Sequence, residues 1–189
     1  MRCFVAIELP DTVRNRLAEL QTQLHGLDRT IRWTRPEQIH ITIKFLGEVP
    51  DADVPQVCTS VTRTAARMPA IPLTVRGLGV FPPRGLTRIV WAGIDGPPAG
   101  LVACYGACEQ ALAELGFAPE TRVFKPHLTL GRARDPRGAR DVPRALEPFA
   151  DFTAGSFTAS QLVVFQSVLC RTGPTYTALA RADLAGLPT

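Results

Sequence analysis

The sequence predicts an α+β fold: one two-lobed domain spanning residues 1–189, built on antiparallel sheets. Three observations carry this expectation. Apolar residues alternate between strand and helix periods along the chain. Each half contains a helix, then a polar connection, then a strand that opens with His. No linker composition separates the halves, so they read as lobes sharing a core and not as independent domains.

The elements follow in order. Residues 2–9 form an apolar run bounded by Arg2 and Pro10 and predict a strand. Pro10-Asp11 starts a helix with Val13, Leu17, Leu20, Leu24 and Leu27 at helical spacing, and Gly26 is its stop. Residues 38–46 alternate as a strand. A second helix runs over about 51–67, with Val54, Val57, Cys58, Val61 and Ala65 inward and Pro55 in its first turn. Strands follow near 71–80 and 87–95, joined by the turn Phe81-Pro82-Pro83-Arg84-Gly85. A third helix covers about 99–115 and stops at Gly116, and residues 127–132 form a strand. The segment from Asp135 to Pro148 predicts loop with a short helix. Two last strands, near 156–169 and 175–182, are joined by Thr172-Gly173-Pro174.

Composition excludes several classes. The chain is 46% hydrophobic and 20% charged, which is ordinary for a soluble globular protein and excludes wholesale disorder. No apolar run approaches the ~20 residues of a membrane span. The opening Met1-Arg2-Cys3-Phe4-Val5-Ala6-Ile7-Glu8 meets an acid too early for a signal peptide, so a cytoplasmic location is expected. A net charge of +4 permits an anionic partner but falls short of a protein that coats nucleic acid. Five cysteines without a regular framework argue against a disulfide scaffold. Cys104 and Cys108 share a helix face with Leu101, Leu112 and Leu115 and read as reduced core residues.

The informative segments are His40-Ile41-Thr42-Ile43 and His127-Leu128-Thr129-Leu130. Side chains alternate across a strand, so each segment buries an apolar face and presents an imidazole and a hydroxyl on the other. Imidazole titrates near neutrality, so one His can hold a proton while the other lacks it. Two hydroxyls can donate to phosphoryl oxygens as charge redistributes. The set suits in-line displacement at phosphorus by a general acid and a general base. A hydrolytic zinc site wants three protein ligands, and no third His or grouped Cys, Asp or Glu supplies one here, so neither metal nor cofactor is expected.

His40-Ile41-Thr42-Ile43-Lys44-Phe45-Leu46-Gly47 and Phe124-Lys125-Pro126-His127-Leu128-Thr129-Leu130-Gly131-Arg132 resemble the paired motifs of the two-histidine (2H) phosphoesterases. The most similar branch is the RNA 2′,3′-cyclic phosphodiesterases, also called 2′-5′ RNA ligases. The opening Arg2-Cys3-Phe4-Val5-Ala6-Ile7-Glu8-Leu9-Pro10 is similar to that branch. So are Phe165-Gln166-Ser167-Val168-Leu169 and Gly173-Pro174-Thr175-Tyr176. The resemblance implies a bilobal fold: two antiparallel sheets related by a pseudo-twofold axis, helices packed outside, and a central cleft where the His strands face each other. It implies hydrolysis of a terminal 2′,3′-cyclic phosphate to a 2′-phosphate on RNA ends or small cyclic nucleotides. By motif position, His40 would protonate the leaving 3′ oxygen, His127 would activate water, and Thr42 and Thr129 would bind the phosphate. The motifs are nearly symmetric, and the reverse reaction exchanges the two histidine roles. The alternatives are 2′-5′ ligation on the same site and a non-catalytic RNA or nucleotide-binding module. A monomer is expected.

Lys44 and Lys125, the only lysines, share strand parity with His40 and His127. Either places charge beside the phosphate or is an ordinary solvated lysine. Arg132 has the opposite parity to His127 unless a bulge at Gly131 swings it to the cleft. Trp33, between Arg32 and Arg35, either stacks a base or packs inside a lobe. Phe165 reads better as core, and Gln166 is within reach of a nucleoside. The arginines of residues 132–144 read as a solvated loop, and His25 as structural.

Overall fold

The computed structural model describes residues 1–27, 29–95, 99–170 and 173–185. The elements are β1 (Arg2–Glu8), α1 (Asp11–Gln23), β2 (Ile31–Trp33), β3 (His40–Glu48), α2 (Val54–Ala65), β4 (Ile71–Phe81), β5 (Ile89–Ile94), α3 (Ala99–Ala113), β6 (His127–Ala133), α4 (Val142–Leu146), β7 (Thr153–Ala159), β8 (Gln161–Cys170) and β9 (Gly173–Asp183).

Eight strands run in the order β7-β4-β5-β6-β3-β1-β8-β9, and β2 adds to β6. Every pairing is antiparallel. The order reads as two halves of four strands that mirror each other about the β6–β3 joint. That joint holds one paired position, Ile41 with Leu128, whereas the neighbouring ladders are long. The two-lobed antiparallel architecture is therefore as expected, with the His strands innermost. The chain shuttles between halves: β1 and β3 lie in one, β4 to β7 in the other, and β8 and β9 return to the first. Such interleaving leaves no place for a linker.

The helices cover one face. α1 lies against β7 and α4 against β4, while α2 packs on β8, β9 and α3, and α3 reaches β3. Alternate strand residues feed this layer: Cys3, Val5 and Ile7, Ile41 and Ile43, Leu128 and Leu130. Fully burying a side chain such as Leu128 or Leu130 contributes roughly 1.5–3 kcal/mol. On the opposite face Phe4, Ala6, Val163 and Phe165 form a second cluster with Tyr176 against it. β1 is thus buried on both faces, which is why residues 3–7 are apolar without alternation.

Most elements fall where the periodicity places them, Pro55 in the first turn of α2 included. Cys104 and Cys108 are buried with Leu101 and Leu112 on one face of α3, and all five thiols are free. Three expectations are corrected, and one strand, β2, was not expected. The helix beginning at Asp11 ends at Gln23, and His25–Leu27 form a separate 3₁₀ turn that includes Gly26. β3 starts at His40 because Pro36–Gln38 close a 3₁₀ turn. The single strand expected over 156–169 is two, β7 on β4 and β8 on β1, broken at Ser160 where the chain changes halves. β2, three residues long, is too short to show a period. Of the last turn, Thr172 lies outside the described residues, and Gly173 and Pro174 open β9.

Candidate active site

His40 and His127 open the two strands that flank the joint. The pairing of Ile41 with Leu128 sets the motifs in register. Antiparallel geometry about that pair puts His40 across from Thr129 and Thr42 across from His127. All four side chains then stand on the face away from Ile41 and Leu128, which are fully buried beneath the helices.

Each imidazole is held in the same way. His40 Nδ1 is 2.7 Å from the Gln38 carbonyl, and His127 Nδ1 is 2.7 Å from the Lys125 carbonyl. A carbonyl only accepts, so Nδ1–H donates in both rings and Nε2 is left for chemistry. Burial is the main cause that pushes both imidazoles below the ordinary histidine range. The carbonyl bonds oppose this shift. For His40 the charge of His127 lowers it further and Glu8 raises it; for His127 the Arg132 guanidinium lowers it. The charge of His127 therefore reaches His40.

Aromatic rings immobilise the pair. His40 stacks on Phe4 with centroids 4.8 Å apart and meets the edge of Tyr176 at 5.4 Å. Phe4 in turn stacks on Phe165 at 5.2 Å. His127 meets Phe81 edge-on at 5.0 Å, and Phe81 packs on Trp91 at 5.3 Å. The indole of Trp91 lies directly over Gly79, where a Cβ would come within 2.2 Å of its Cζ2.

The sequence profile of the LigT like phosphoesterases matches residues 7–91 and 95–176. The chain belongs to that family. Each matched stretch carries one His-x-Thr motif, and the break between them, residues 92–94, falls in the second half of β5. Among similar proteins, the RNA 2′,3′-cyclic phosphodiesterase of Aeropyrum pernix is 32% identical over 90% of this chain and 96% of its own. That of Thermus thermophilus is 31% identical over 98% of this chain and 91% of its own. Escherichia coli LigT, crystallised with 3′-AMP, is 27% identical with a TM-score of 0.79 over 97% of each chain.

In this LigT-like phosphoesterase a β-bulge decides where the residues after each motif go. In β3, Thr42 pairs with Ala6 and Lys44 with Val5, so Ile43 is the extra residue. Parity reverses there. Lys44 therefore joins the helix face, 4% exposed, with Nζ 2.8 Å from Glu109 Oε2 and 3.0 Å from the Ala118 carbonyl. The expectation that Lys44 meets substrate is corrected: its ammonium is an internal tie between β3 and α3. The same bulge turns Phe45 to the cleft face, beside Phe4.

β6 repeats the device. Thr129 pairs with Trp91 and Gly131 with Val90, so Leu130 is the extra residue and Arg132 returns to the His127 face. A bulge does carry Arg132 to the cleft, at Leu130 and not at Gly131. Gly131 serves another need: a Cβ there would lie 2.5 Å from Ile31 and 2.9 Å from Trp33. Trp33 accordingly packs against the core. Lys125 is exposed just before β6, where its carbonyl holds His127. Gln166 pairs with Cys3 and shares the helix face, so it does not reach the cleft. His25 is exposed at the end of α1, bonded to Thr22. Among the described residues no three His, Cys, Asp or Glu side chains gather as metal ligands.

Sequence reasoning missed Phe4, Tyr176, Phe81 and Trp91 as the rings that hold the histidines. Phe4 sits in a strand apolar on both faces, so no polarity contrast marks it.

Proposed function

We propose that the protein hydrolyses RNA 2′,3′-cyclic phosphate ends to 2′-phosphates without a metal. The observation that carries this is the pair of equivalent imidazoles, each with Nδ1 tied to a carbonyl and Nε2 left for proton transfer, in register across one joint. His127 Nε2 takes a proton from water as the water oxygen attacks phosphorus in line. His40 enters the step as the imidazolium, protonated at Nε2 as well as at Nδ1; the bond from phosphorus to O3′ breaks, and His40 Nε2 gives that oxygen its proton. Thr42 and Thr129 hydroxyls donate to the non-bridging oxygens, whose charge grows as the fifth bond forms. Arg132, at the His127 side, favours the neutral imidazole that a base requires. The similar proteins named RNA 2′,3′-cyclic phosphodiesterase support the substrate class.

One copy of the chain supplies both motifs, which supports action as a monomer and one functional domain over residues 1–189. Free thiols, the exposed Cys170 among them, support a reducing cytoplasmic setting. No helix among the described residues is long and apolar enough to cross a membrane.

The test is incubation of purified, EDTA-treated protein with an oligoribonucleotide ending in a 2′,3′-cyclic phosphate. A 2′-phosphate product is expected. A 3′-phosphate, or no turnover until a divalent metal is restored, contradicts the proposal.

A further inference from the structure

The two motifs are nearly symmetric, but what stands beside them is not. Glu8 on β1 pairs with His40, and Gly93 on β5 pairs with His127. β1 and β5 hold equivalent places in the two halves, each the outer neighbour of a His strand. Cross-strand partners share a face, so Glu8 stands on the cleft face opposite His40, with Cβ atoms about 4.5–5.5 Å apart. The equivalent place beside His127 is closed to any side chain, since a Cβ at Gly93 would lie 2.7 Å from the Arg76 carbonyl oxygen. Past the bulges the contrast reverses in sign. β6 turns Arg132 to the cleft, where β3 turns the uncharged Phe45. His40 thus has a carboxylate in its own half, and His127 a guanidinium in its own.

Among the described residues, Glu8 is the carboxylate whose field reaches His40, and it favours the charged ring. β1 and β8 otherwise offer His40 the rings of Phe4 and Phe165. On β3, Lys44 is turned to the helices. From β9, Tyr176 meets the ring edge with its hydroxyl kept neutral by burial. From the turn before β3, Arg35 is drawn to the Pro174 carbonyl at 3.5 Å. From β6, the charge of His127 opposes that of Glu8 at the ring. Arg181 closes an ion pair with Glu8. It lies on β9 opposite Val163, with β8 and β1 between it and β3. At ~4.8 Å per strand its guanidinium reaches Glu8 from the far side, so the carboxylate is the pole nearer His40.

We propose that Glu8 is a positioning residue of the reaction: its carboxylate keeps the Nε2 proton on His40 until O3′ departs, and so commits one of two like motifs to the acid role. Glu8 takes no proton itself; it favours the imidazolium by opposite charge. This inference rests on the phosphodiesterase reading.

The experiment measures kcat/KM against pH on one 2′,3′-cyclic phosphate substrate for the unmodified protein, Glu8→Gln, Glu8→Asp and Arg181→Gln. Glu8→Gln keeps the shape and removes the charge. Its alkaline limb should move toward acid while the acid limb stays. The rate on the alkaline side should fall about two- to fivefold, the scale of a half-exposed charge pair. Glu8→Asp keeps the charge and should follow the unmodified protein. Arg181→Gln breaks the same ion pair but leaves the carboxylate, so its alkaline limb should not move toward acid. The NMR titration of the His40 ring should shift toward acid in Glu8→Gln, and that of the His127 ring should not. An alkaline limb or a His40 titration that Glu8→Gln leaves in place overturns the role of Glu8 alone. So does an equal acid shift in Arg181→Gln, which would trace the effect to the ion pair as structure. Absence of hydrolysis by the unmodified protein overturns the phosphodiesterase reading and this role with it, whatever the NMR titration shows.

Discussion

Lys44 offers a sharp test, because Thr42 and Phe45 on either side of it face the cleft while Lys44 faces the helices. Its side chain is 3% exposed, and its ammonium bonds Glu109, whose side chain is 13% exposed. The same Glu109 Oε2 accepts the Glu120 backbone N–H at 3.0 Å, while Oε1 is buried without a partner. Lys44→Met keeps the length and apolar stem and removes the charge. It strands a carboxylate in the interior and takes the donor from the Ala118 carbonyl. Removing one member of a buried pair costs about 3–5 kcal/mol, and the lost carbonyl bond adds about 1 kcal/mol. Adding Glu109→Leu removes the stranded charge and should recover most of the loss. Urea unfolding of the wild type, both single variants and the double variant gives the coupling directly. Because Lys44 does not face the cleft, the salt dependence of cyclic phosphate hydrolysis by the folded single variant should match wild type. A cost under about 1 kcal/mol for Lys44→Met, or no recovery in the double variant, refutes the buried tie. A flattened salt dependence would return Lys44 to the substrate site.

Other outcomes follow from the same geometry. Gly79→Ala drives a Cβ to 2.2 Å from Trp91, and the displaced indole should cost about 1–3 kcal/mol in urea unfolding. An unchanged midpoint would show that the ring does not rest on Gly79. Both histidines have lowered pKa values in the folded protein, so below the unfolded value of about 6.5 the unfolded chain binds more protons. Stability should fall as pH drops from about 6.5 toward the folded values, and His40→Gln with His127→Gln should flatten that fall; an equal fall in the double variant contradicts it. Thr42→Val and Thr129→Val keep the β-branched shape and should each lower kcat by the equivalent of ~1–3 kcal/mol with little change in folding. Unchanged kcat would remove the hydroxyls from the mechanism.

The site was legible because alternation in a strand is strict. His40 with Thr42 and His127 with Thr129 had to share a face once the strands were assigned. The bulges were not legible: Ile43 and Leu130 look like ordinary inward residues, and only the cross-strand register shows each as the extra residue. Parity counted through them misplaced Lys44 and, but for an allowance at Gly131, Arg132. The break at Ser160 escaped for a related reason, since a one-residue change of partner needs neither Gly nor Pro. The rings that hold the histidines come from β1, β4, β8 and β9, elements far apart in sequence, so tertiary contact alone unites them. The helices were legible from their 3.6-residue spacing because each packs a single face.

The measurement that bears most directly on the central claim is kcat/KM against pH for wild type, His40→Ala and His127→Ala on one cyclic phosphate substrate. Two imidazoles at one phosphorus, one giving and one taking a proton, require a bell whose two limbs belong to different residues. Both limbs should lie on the acid side of the ordinary histidine range, since burial lowers both groups. His40→Ala should lose the alkaline limb, where its proton is needed, and His127→Ala the acid limb, where its lone pair is needed, each with a rate loss of about 10²–10⁴. Retention of a full bell in either variant, or loss of the same limb in both, would contradict paired acid–base catalysis by His40 and His127.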